Sequence, residues 1–199
     1  MVVSDGSTDS TPQIVSELAA KDARFCLEGY TPNRGKGYAV RLGMTKLDAE
    51  WLLLCDADLA APIEEVEKLF AANATVAIGS RPLRESSLEI RQPWWREMAG
   101  RAFNAAVQML SIRGIKDTQC GFKLFRKDAA KAVFSRCTFD GFSYDFEALM
   151  LARALGYDIA EVPIRWAHQE GSKVRLLRDG IRMLKDLVIL RLTFKSRLN

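Results

Sequence analysis

Two aspartates separated by one residue follow an apolar run of the sequence. Asp56 and Asp58 come directly after residues 51–55, whose composition predicts a buried strand. The carboxyl end of such a strand is where open α/β sheets bind their ligands. Two carboxylates that converge there can hold Mg²⁺ or Mn²⁺, and such a cation neutralises a departing diphosphate. A solvated acidic turn ahead of the helix that Pro62 opens is the alternative explanation of the same residues.

A second candidate site is the stretch Asn33-Arg34-Gly35-Lys36-Gly37, which places two cations on flexible backbone just ahead of an amphipathic segment. Free N–H groups and the helix dipole stabilise phosphate oxygens at such a position. The spacing excludes a P-loop, because five residues separate Gly29 from the Gly-Lys pair where that motif has four. A glycine-rich turn with solvated cations is the alternative.

Further polar residues lie in the second half of the chain. Residues 117–123 combine a carboxylate, an amide, a glycine and a cation in one stretch, which is more polar than the entry to a strand requires. Asp145 and Glu147 lie at the start of a predicted helix, where acids favour the helix dipole even without a chemical role. His168 has no second His or Cys at ligand spacing, so a zinc site is not expected. No Gly-x-Ser-x-Gly elbow indicates a serine hydrolase.

The elements that must position these residues alternate between apolar runs and helical patterns. This alternation predicts a single α/β domain whose mostly parallel sheet is covered by helices on both faces. Thr11 is the expected cap of the first helix, with Pro12 at its first position. Predicted strands include residues 2–3, 25–27, 51–55, a strand and turn over 76–81, a segment ending at 125, and 159–164. Predicted helices include residues 38–47, 63–70, 94–112, 127–134, 146–155 and 174–194.

Composition narrows the class of protein. A chain of 199 residues with 48% hydrophobic and 27% charged content can bury a sizeable core. The four cysteines lie far apart and form no CxxC pair, so reduced thiols in a cytosolic environment are expected. No run of about 18 apolar residues is present, and we therefore expect any membrane contact to be peripheral or to come from a part outside this sequence.

Positive charge is concentrated near the end of the sequence. Residues 173–199 contain eight Lys or Arg and two acids, which makes this segment +6 and the remainder −2. A local patch of this kind suits anionic lipid headgroups better than nucleic acid. We therefore divide the chain into a catalytic domain, 1–172, and a basic amphipathic helix, 173–199, that can lie in a membrane interface, with Trp94-Trp95 as an aromatic anchor. An ordinary amphipathic helix packed on the sheet is the alternative.

Taken in order, several segments resemble the family-2 glycosyltransferases of the GT-A fold, and within them the dolichyl-phosphate β-glucosyltransferases. The matching segments are residues 3–9, 33–37, 56–58, 78–81, 113–125 and 170–173. The resemblance spans nearly the whole chain. Residues 113–125 are its most specific part, because the equivalent stretch of the dolichyl-phosphate mannosyltransferases looks different.

The resemblance implies a role for each candidate residue. Asp5 is expected at the nucleotide base, Arg34 and Lys36 near the uridine diphosphate, Asp56 at the nucleotide and the Mg²⁺ or Mn²⁺ ion, Asp58 at that metal, Arg101 and Lys123 at the acceptor phosphate, and Asp145 and Asp117 as catalytic carboxylates that orient groups. A phosphate acceptor is already anionic, so positioning and stabilisation of the leaving group should supply most of the rate.

The reaction implied is inverting transfer of glucose from UDP-glucose to dolichyl phosphate, for protein N-glycosylation, at the cytosolic face of the endoplasmic reticulum membrane. Another polyprenyl-phosphate sugar transferase and an inactive nucleotide-binding fragment are the alternatives. Ser4 stands where the family usually has an aspartate, and Tyr38 replaces a common glycine. Family members also carry an earlier central strand, often after a membrane helix, so a GT-A sheet that lacks its first strand is expected.

Overall fold

The computed structural model describes residues 1–83, 86–90, 94–110, 112–167 and 176–194. Its first half contains β1 (Val2–Asp5), α1 (Thr11–Lys21), β2 (Leu27–Tyr30), α2 (Lys36–Lys46), β3 (Trp51–Cys55), a 3₁₀ turn (Ile63–Glu65), α3 (Val66–Ala71) and β4 (Val76–Ser80). Its second half contains β5 (Ser87–Ile90), α4 (Trp94–Leu110), β6 (Phe122–Arg126), α5 (Lys127–Phe134), α6 (Tyr144–Ala154), β7 (Ile159–Pro163), β8 (Arg165–Ala167) and α7 (Leu176–Thr193).

The start of α1 differs from the predicted cap. Ser10 precedes the first helical residue, and its side chain makes no capping hydrogen bond. The carboxylate of Asp9 instead accepts a hydrogen bond from the N–H of Thr11 at 3.0 Å. Pro12 occupies the first turn, where its missing N–H costs nothing. The helix therefore begins where expected, but Thr11 is its first residue rather than its cap.

Three of the four strands in the main sheet run in the same direction. The strand order is β3-β6-β4-β7, in which β4 and β7 are parallel and β6 is antiparallel to both β3 and β4. The prediction of a mostly parallel sheet is confirmed, and β6 is the strand whose direction the apolar pattern did not indicate. Two smaller parallel sheets pair β1 with β2 and β5 with β8.

The reversed direction of β6 decides which segments meet at the sheet edge. Because β6 is antiparallel to β3, the amino end of β6 lies beside the carboxyl end of β3, and Cys55 pairs with Phe122. The polar residues that precede β6 therefore reach the same edge as the Asp-Ala-Asp segment that follows β3. Side chains from two regions distant in sequence can then form one site.

The core is densest around α6. Nine consecutive residues of this helix, 144–152, are buried. A helix buried on all sides is normally apolar all round, yet α6 contains the carboxylates of Asp145 and Glu147. Buried charges persist only where they are paired or hydrogen-bonded, so these two acids must have specific partners.

The final helix has a buried and an exposed apolar surface. Met183, Leu187 and Leu190 of α7 belong to the core cluster that also contains residues of α5 and α6. Val188 and Leu192 are apolar but exposed. Over the residues that the structure describes, no helix has the length and apolar character needed to cross a membrane.

Candidate active site

The Asp-Ala-Asp segment lies where predicted, at the carboxyl end of β3. The N–H of Asp56 donates to the carbonyl of Gly121 at 3.0 Å, which joins the segment to the residue before β6. The Asp56 carboxylate forms an ion pair with Lys36, with 2.7 Å between Oδ1 and Nζ. Asp58 is exposed, and its Oδ1 accepts a hydrogen bond from the N–H of Ala60 at 3.1 Å. One carboxylate therefore contacts a cation, and the other lies in a turn beside it.

A glycine fixes the position of the Asp56 carboxylate. A Cβ atom added to Gly121 would lie 2.0 Å from Oδ2 of Asp56 and 2.2 Å from its Cγ. Non-bonded atoms do not approach so closely, so any other residue at position 121 has to displace the carboxylate. Sequence reasoning placed Gly121 inside the matching block 113–125 but assigned it no role, because the contact joins residues distant in the chain.

Asp5 organises the turn that precedes α2. Its carboxylate accepts hydrogen bonds from the N–H of Arg34 at 2.7 Å and the N–H of Gly35 at 2.9 Å. The side-chain amide of Asn33 donates to the same carboxylate at 2.8 Å. The turn is thereby held against the end of β1, and Lys36 becomes the first residue of α2. The expected contact of Asp5 with a nucleotide base stays a prediction.

Arg34 is stacked on an aromatic ring. Its guanidinium carbon lies 3.4 Å from the centroid of the Tyr38 ring, and the Tyr30 ring meets Tyr38 edge-on with centroids 4.8 Å apart. A guanidinium over a tyrosine face is attracted by the ring quadrupole. Tyr38, which departs from the expected glycine, therefore holds Arg34 in one orientation, while the assignment of Arg34 to the diphosphate stays a prediction.

Lys36 brings three of the predicted carboxylates into one electrostatic cluster. Burial by itself lowers the pKa of this ammonium, because the charged form loses its water. The carboxylates of Asp145, Asp56 and Asp58 outweigh burial and hold the pKa of Lys36 above its ordinary value. Lys36 is therefore a cation surrounded by acids from the end of β3 and from α6. The resemblance placed Lys36, Asp56 and Asp58 at one nucleotide site, but the approach of Asp145 was not predicted.

A second lysine lies deeper in the site. Lys123 of β6 and Asp145 of α6 form an ion pair in which both side chains are almost fully buried. The Lys123 ammonium also donates to the carbonyl of Cys120 at 2.5 Å. Burial raises the pKa of Asp145, although Lys123 and Lys36 oppose this effect. In this structure the Lys123 ammonium is directed to Asp145, and its expected contact with an acceptor phosphate stays a prediction.

Asp117 is held by an arginine that sequence reasoning did not single out. Arg81, which follows β4, donates from Nε to Oδ2 of Asp117 at 2.6 Å and from Nη2 to Oδ1 at 2.8 Å. Burial works to raise the pKa of Asp117, but the Arg81 guanidinium dominates and holds that pKa below its ordinary value. Glu161 accepts the N–H of Asp117 at 2.9 Å and the hydroxyl of Ser80 at 2.8 Å. These contacts position Asp117, whose catalytic role stays a prediction.

The hydroxyl of Tyr144 is a further polar group near the two central carboxylates. Burial raises the pKa of Tyr144 well above its ordinary value, and Asp145 and Asp56 raise it further. The only feature of the sequence that could have pointed to Tyr144 is its position next to Asp145. The remaining predicted residues cannot be placed in the same way: the Arg101 side chain, His168 and residues 170–173 lie outside the described part of the chain.

The donor set at the end of β3 fits a hard divalent cation that shares its coordination with a substrate. Within the described residues, no group of three or more His, Cys, Asp or Glu side chains is arranged to hold a metal ion. Mg²⁺ commonly binds through one or two carboxylates, waters and substrate phosphates rather than in an all-protein cage. Asp56 and Asp58 would supply such carboxylates, and in this structure Oδ1 of Asp56 is paired with the Lys36 ammonium.

Comparison with known proteins identifies the family. Residues 1–134 match the model of glycosyl transferase family 2, which is more than half of the chain. The chain belongs to glycosyltransferase family 2. The matched residues of this family 2 chain include α2, β3 and β6, whereas α6 follows them.

Curated relatives match this family 2 glycosyltransferase over nearly its whole length. The dolichyl-phosphate β-glucosyltransferase of Saccharomyces cerevisiae is 36% identical over 98% of the chain and 64% of its own length. The proteins of the same name from Mus musculus and Homo sapiens are 35% and 34% identical, each over 98% of the chain and 63% of their own length. The chain therefore spans somewhat less than two thirds of these relatives.

Solved structures establish the fold. Glucosyl-3-phosphoglycerate synthase from Mycobacterium tuberculosis, in complex with UDP, superposes with a TM-score of 0.66 at 17% identity, covering 96% of this chain and 67% of that one. The same enzyme with Mn²⁺, UDP and glucosyl-3-phosphoglycerate has a TM-score of 0.65 at 18% identity, covering 99% and 67%. The expected GT-A fold is confirmed.

Proposed function

We propose that this protein transfers glucose from UDP-glucose to dolichyl phosphate, with inversion at the sugar, and releases UDP and dolichyl β-D-glucosyl phosphate. The observation that carries the proposal is the match, over 98% of the chain, to relatives named for this activity. The paired carboxylates and lysines at the end of β3 supply a site whose chemistry suits that reaction.

On the donor side, the turn before α2 and the Asp-Ala-Asp segment bind the nucleotide sugar. Lys36, the first residue of α2, stabilises the phosphate oxygens of UDP with its ammonium group. Asp56 and Asp58 hold Mg²⁺ or Mn²⁺. When bound, that cation neutralises negative charge on the departing diphosphate. Asp5, through the turn that it organises, orients Arg34 and Lys36 toward the nucleotide.

On the acceptor side, the nucleophile needs no base, because a phosphate monoester is already anionic near neutral pH. The role of Asp145 is therefore to hold Lys123 and to orient the acceptor rather than to remove a proton. An incoming phosphate competes with Asp145 for Lys123, and Arg101 contributes a second cation. Asp117 fixes the Arg81 guanidinium at the edge of the same cluster.

A lipid acceptor requires a membrane surface, and two neighbouring helices support this part of the proposal. On α7 the exposed charged side chains among the described residues are all cationic: Arg178, Arg182, Lys185 and Arg191. Exposed apolar residues lie between them, including Ile181, Val188 and Leu192. An apolar surface flanked by cations is typical of helices that lie in the interface of an anionic membrane.

The second helix, α4, packs against α7 and exposes apolar residues along one side. Among the α4 residues whose exposure is described, five exposed apolar side chains follow the helical period: Trp94, Met98, Ala102, Ala105 and Met109. Gly100 is exposed outside that stripe. A tryptophan at the end of such a stripe is suited to the headgroup level of a bilayer. We assign α4 and α7 to the cytosolic surface of the endoplasmic reticulum membrane, where the lipid product would serve protein N-glycosylation.

The direct test is transfer of radiolabelled glucose from UDP-glucose to dolichyl phosphate with Mn²⁺ or Mg²⁺. The expected product is a labelled lipid that forms only when the metal and both substrates are present. Competition by unlabelled GDP-mannose and other UDP-sugars tests the donor. Efficient competition by GDP-mannose, or no labelled lipid where a known dolichyl-phosphate β-glucosyltransferase forms it in parallel, would contradict the proposal.

A further inference from the structure

A buried carboxylate on α6 holds the loop that follows α5. Glu147 is completely buried, and its Oε1 and Oε2 accept the N–H of Thr138 at 2.9 and 3.0 Å. Its Oε2 also accepts the N–H of Phe139 at 3.0 Å, and its Oε1 accepts the hydroxyl of Thr138 at 2.9 Å. Both carboxylate oxygens are therefore used to fix the backbone at the start of residues 138–141, here named the cover loop.

The cover loop lies directly on the glycine-rich turn before α2. A Cβ atom on Gly35 would lie 2.5 Å from the carbonyl oxygen of Asp140, and one on Gly37 would lie 2.3 Å from that of Phe139. The N–H of Tyr38 also donates to the carbonyl of Asp140 at 3.2 Å. The two glycines therefore allow backbone to meet backbone, and the position of the cover loop determines the position of the turn.

A contact from Arg41 of α2 also holds the cover loop beside the turn. Arg41 donates from Nη2 to Oδ1 of Asp140 at 2.5 Å and from Nη1 to the carbonyl of Cys137 at 3.2 Å. On its other side, the turn is held by Asp5, and Lys36 reaches the Asp56 carboxylate. The turn is thus fixed from two directions, by a carboxylate at the end of β1 and by the cover loop.

We propose that Glu147 is a positioning residue for the nucleotide sugar: it holds the cover loop, the cover loop sets the turn at Gly35 and Gly37, and the turn places Lys36 against Asp56. This inference rests on the donor site proposed above. Asp145 and Glu147 are two residues apart and so project from different sides of α6. One helix therefore supports the lysine of each half of the site, Lys123 directly and Lys36 through the cover loop.

Glu147→Gln is the informative change, because it keeps the size of the side chain. One carboxylate oxygen becomes an NH₂ group, so the side chain loses its charge and keeps a single acceptor oxygen for the N–H groups of Thr138 and Phe139. The loss of a hydrogen bond to a buried charged acceptor corresponds to a roughly tenfold change in an equilibrium constant. The cover loop is then held more weakly by α6, and the turn is free to move with it.

The measurement is the dissociation constant of UDP by calorimetry, together with the KM for each substrate. For Glu147→Gln we expect a roughly tenfold weaker UDP affinity and a similar rise in the KM for UDP-glucose, with the KM for dolichyl phosphate changed by less than about twofold. Asp140→Ala removes the Arg41 contact from a surface residue and should weaken UDP binding in the same direction by a smaller factor.

Glu65→Gln is the matched control. Glu65 is also a buried carboxylate that accepts hydrogen bonds from a backbone and a side-chain donor. Both donors belong to Arg165: its backbone N–H at 3.1 Å and its side-chain Nε at 2.7 Å. The hydrogen-bond partners that the structure describes for Glu65, Lys68 and Arg165, lie outside the cover loop. We expect Glu65→Gln to lower the unfolding temperature as Glu147→Gln does, while UDP affinity stays within twofold of the parent.

The outcomes separate a positioning role from a structural one. Unchanged UDP affinity in folded Glu147→Gln, or equal weakening in Glu65→Gln, would overturn the inference. If Glu147→Gln does not fold, an unchanged UDP affinity in Asp140→Ala overturns it in the same way. A parent protein that binds GDP in preference to UDP would contradict the proposed donor alone, and the same variants would then be titrated with GDP.

Discussion

Adding one methyl group at Gly121 should disable the site by moving a single carboxylate. The Cβ of Gly121→Ala would lie 2.0 Å from Asp56 Oδ2, whereas real Cβ contacts essentially never fall below 3.0 Å. The carboxylate must therefore retreat by about 1 Å, which lengthens its 2.7 Å contact with Lys36. A displacement of about 1 Å in a catalytic constellation lowers kcat/KM by roughly 100-fold, or about 2.7 kcal/mol of transition-state stabilisation.

The assay compares kcat/KM for glucose transfer in the parent, Gly121→Ala, Asp56→Ala and the double variant. If Gly121→Ala acts only by displacing Asp56, it should have less than about a twofold effect once Asp56 has been removed. Gly180→Ala in α7 is the matched control, because a Cβ there meets nothing within 4 Å, and it should keep full activity.

Two results would refute this reasoning. Full activity in folded Gly121→Ala would show that the Asp56 carboxylate does not need its present position. Additive losses in the double variant would show that the added methyl group acts on something other than Asp56. A lower unfolding temperature by itself would not count, because overpacking destabilises proteins whether or not a site is involved.

Three further predictions concern separate parts of the molecule. Asp58→Ala should abolish metal-stimulated transfer and leave the unfolding temperature within about 3 °C, since the residue is exposed; unchanged stimulation would contradict the metal assignment. Because Arg81 holds the pKa of Asp117 below 3.8, their ion pair stabilises the fold above that pH and loses its effect as pH falls through the native pKa. Asp117→Asn should therefore destabilise less at pH 2 than at pH 7 in urea unfolding, and equal effects would contradict this. Val188→Glu should weaken flotation with anionic vesicles relative to the exposed control Ile14→Glu.

The elements with the strongest apolar patterns could be predicted from the sequence. The run 51–55 forms β3 over those residues, and α5 occupies residues 127–134 as expected. The placement of Asp56 and Asp58 followed from this, because a short apolar run bounded by acids fixes where a buried strand ends. The family-2 resemblance was confirmed by the match over residues 1–134.

The contacts that assemble the site could not be predicted in the same way, because they depend on tertiary packing. The antiparallel direction of β6 brings Gly121 beside Asp56, and nothing in the local pattern of residues 122–126 encodes that direction. In the sequence, the helix dipole alone could account for Asp145 and Glu147 at the start of a helix. In the structure, Glu147 accepts the N–H groups of the cover loop. The strand β8 has three residues, too few for a periodic signal.

The charge balance of the assembled cluster leads to a final prediction about metal. Around Lys36 and Asp145, the coupled groups comprise three cations and four carboxylates: Lys36, Lys123, Arg81, Asp56, Asp58, Asp117 and Asp145. Asp5 and Arg34 at the neighbouring turn add one charge of each sign, so the excess stays negative. An excess of negative charge repels a diphosphate, so UDP should bind at least about tenfold more weakly in the presence of a chelator. In Asp58→Ala the cluster loses one carboxylate as well as a metal ligand. Its metal-free UDP affinity should therefore exceed that of the parent while its metal-bound affinity falls. Equal UDP affinity of the parent with and without chelator, measured by calorimetry, would show that the lysines alone compensate the acids.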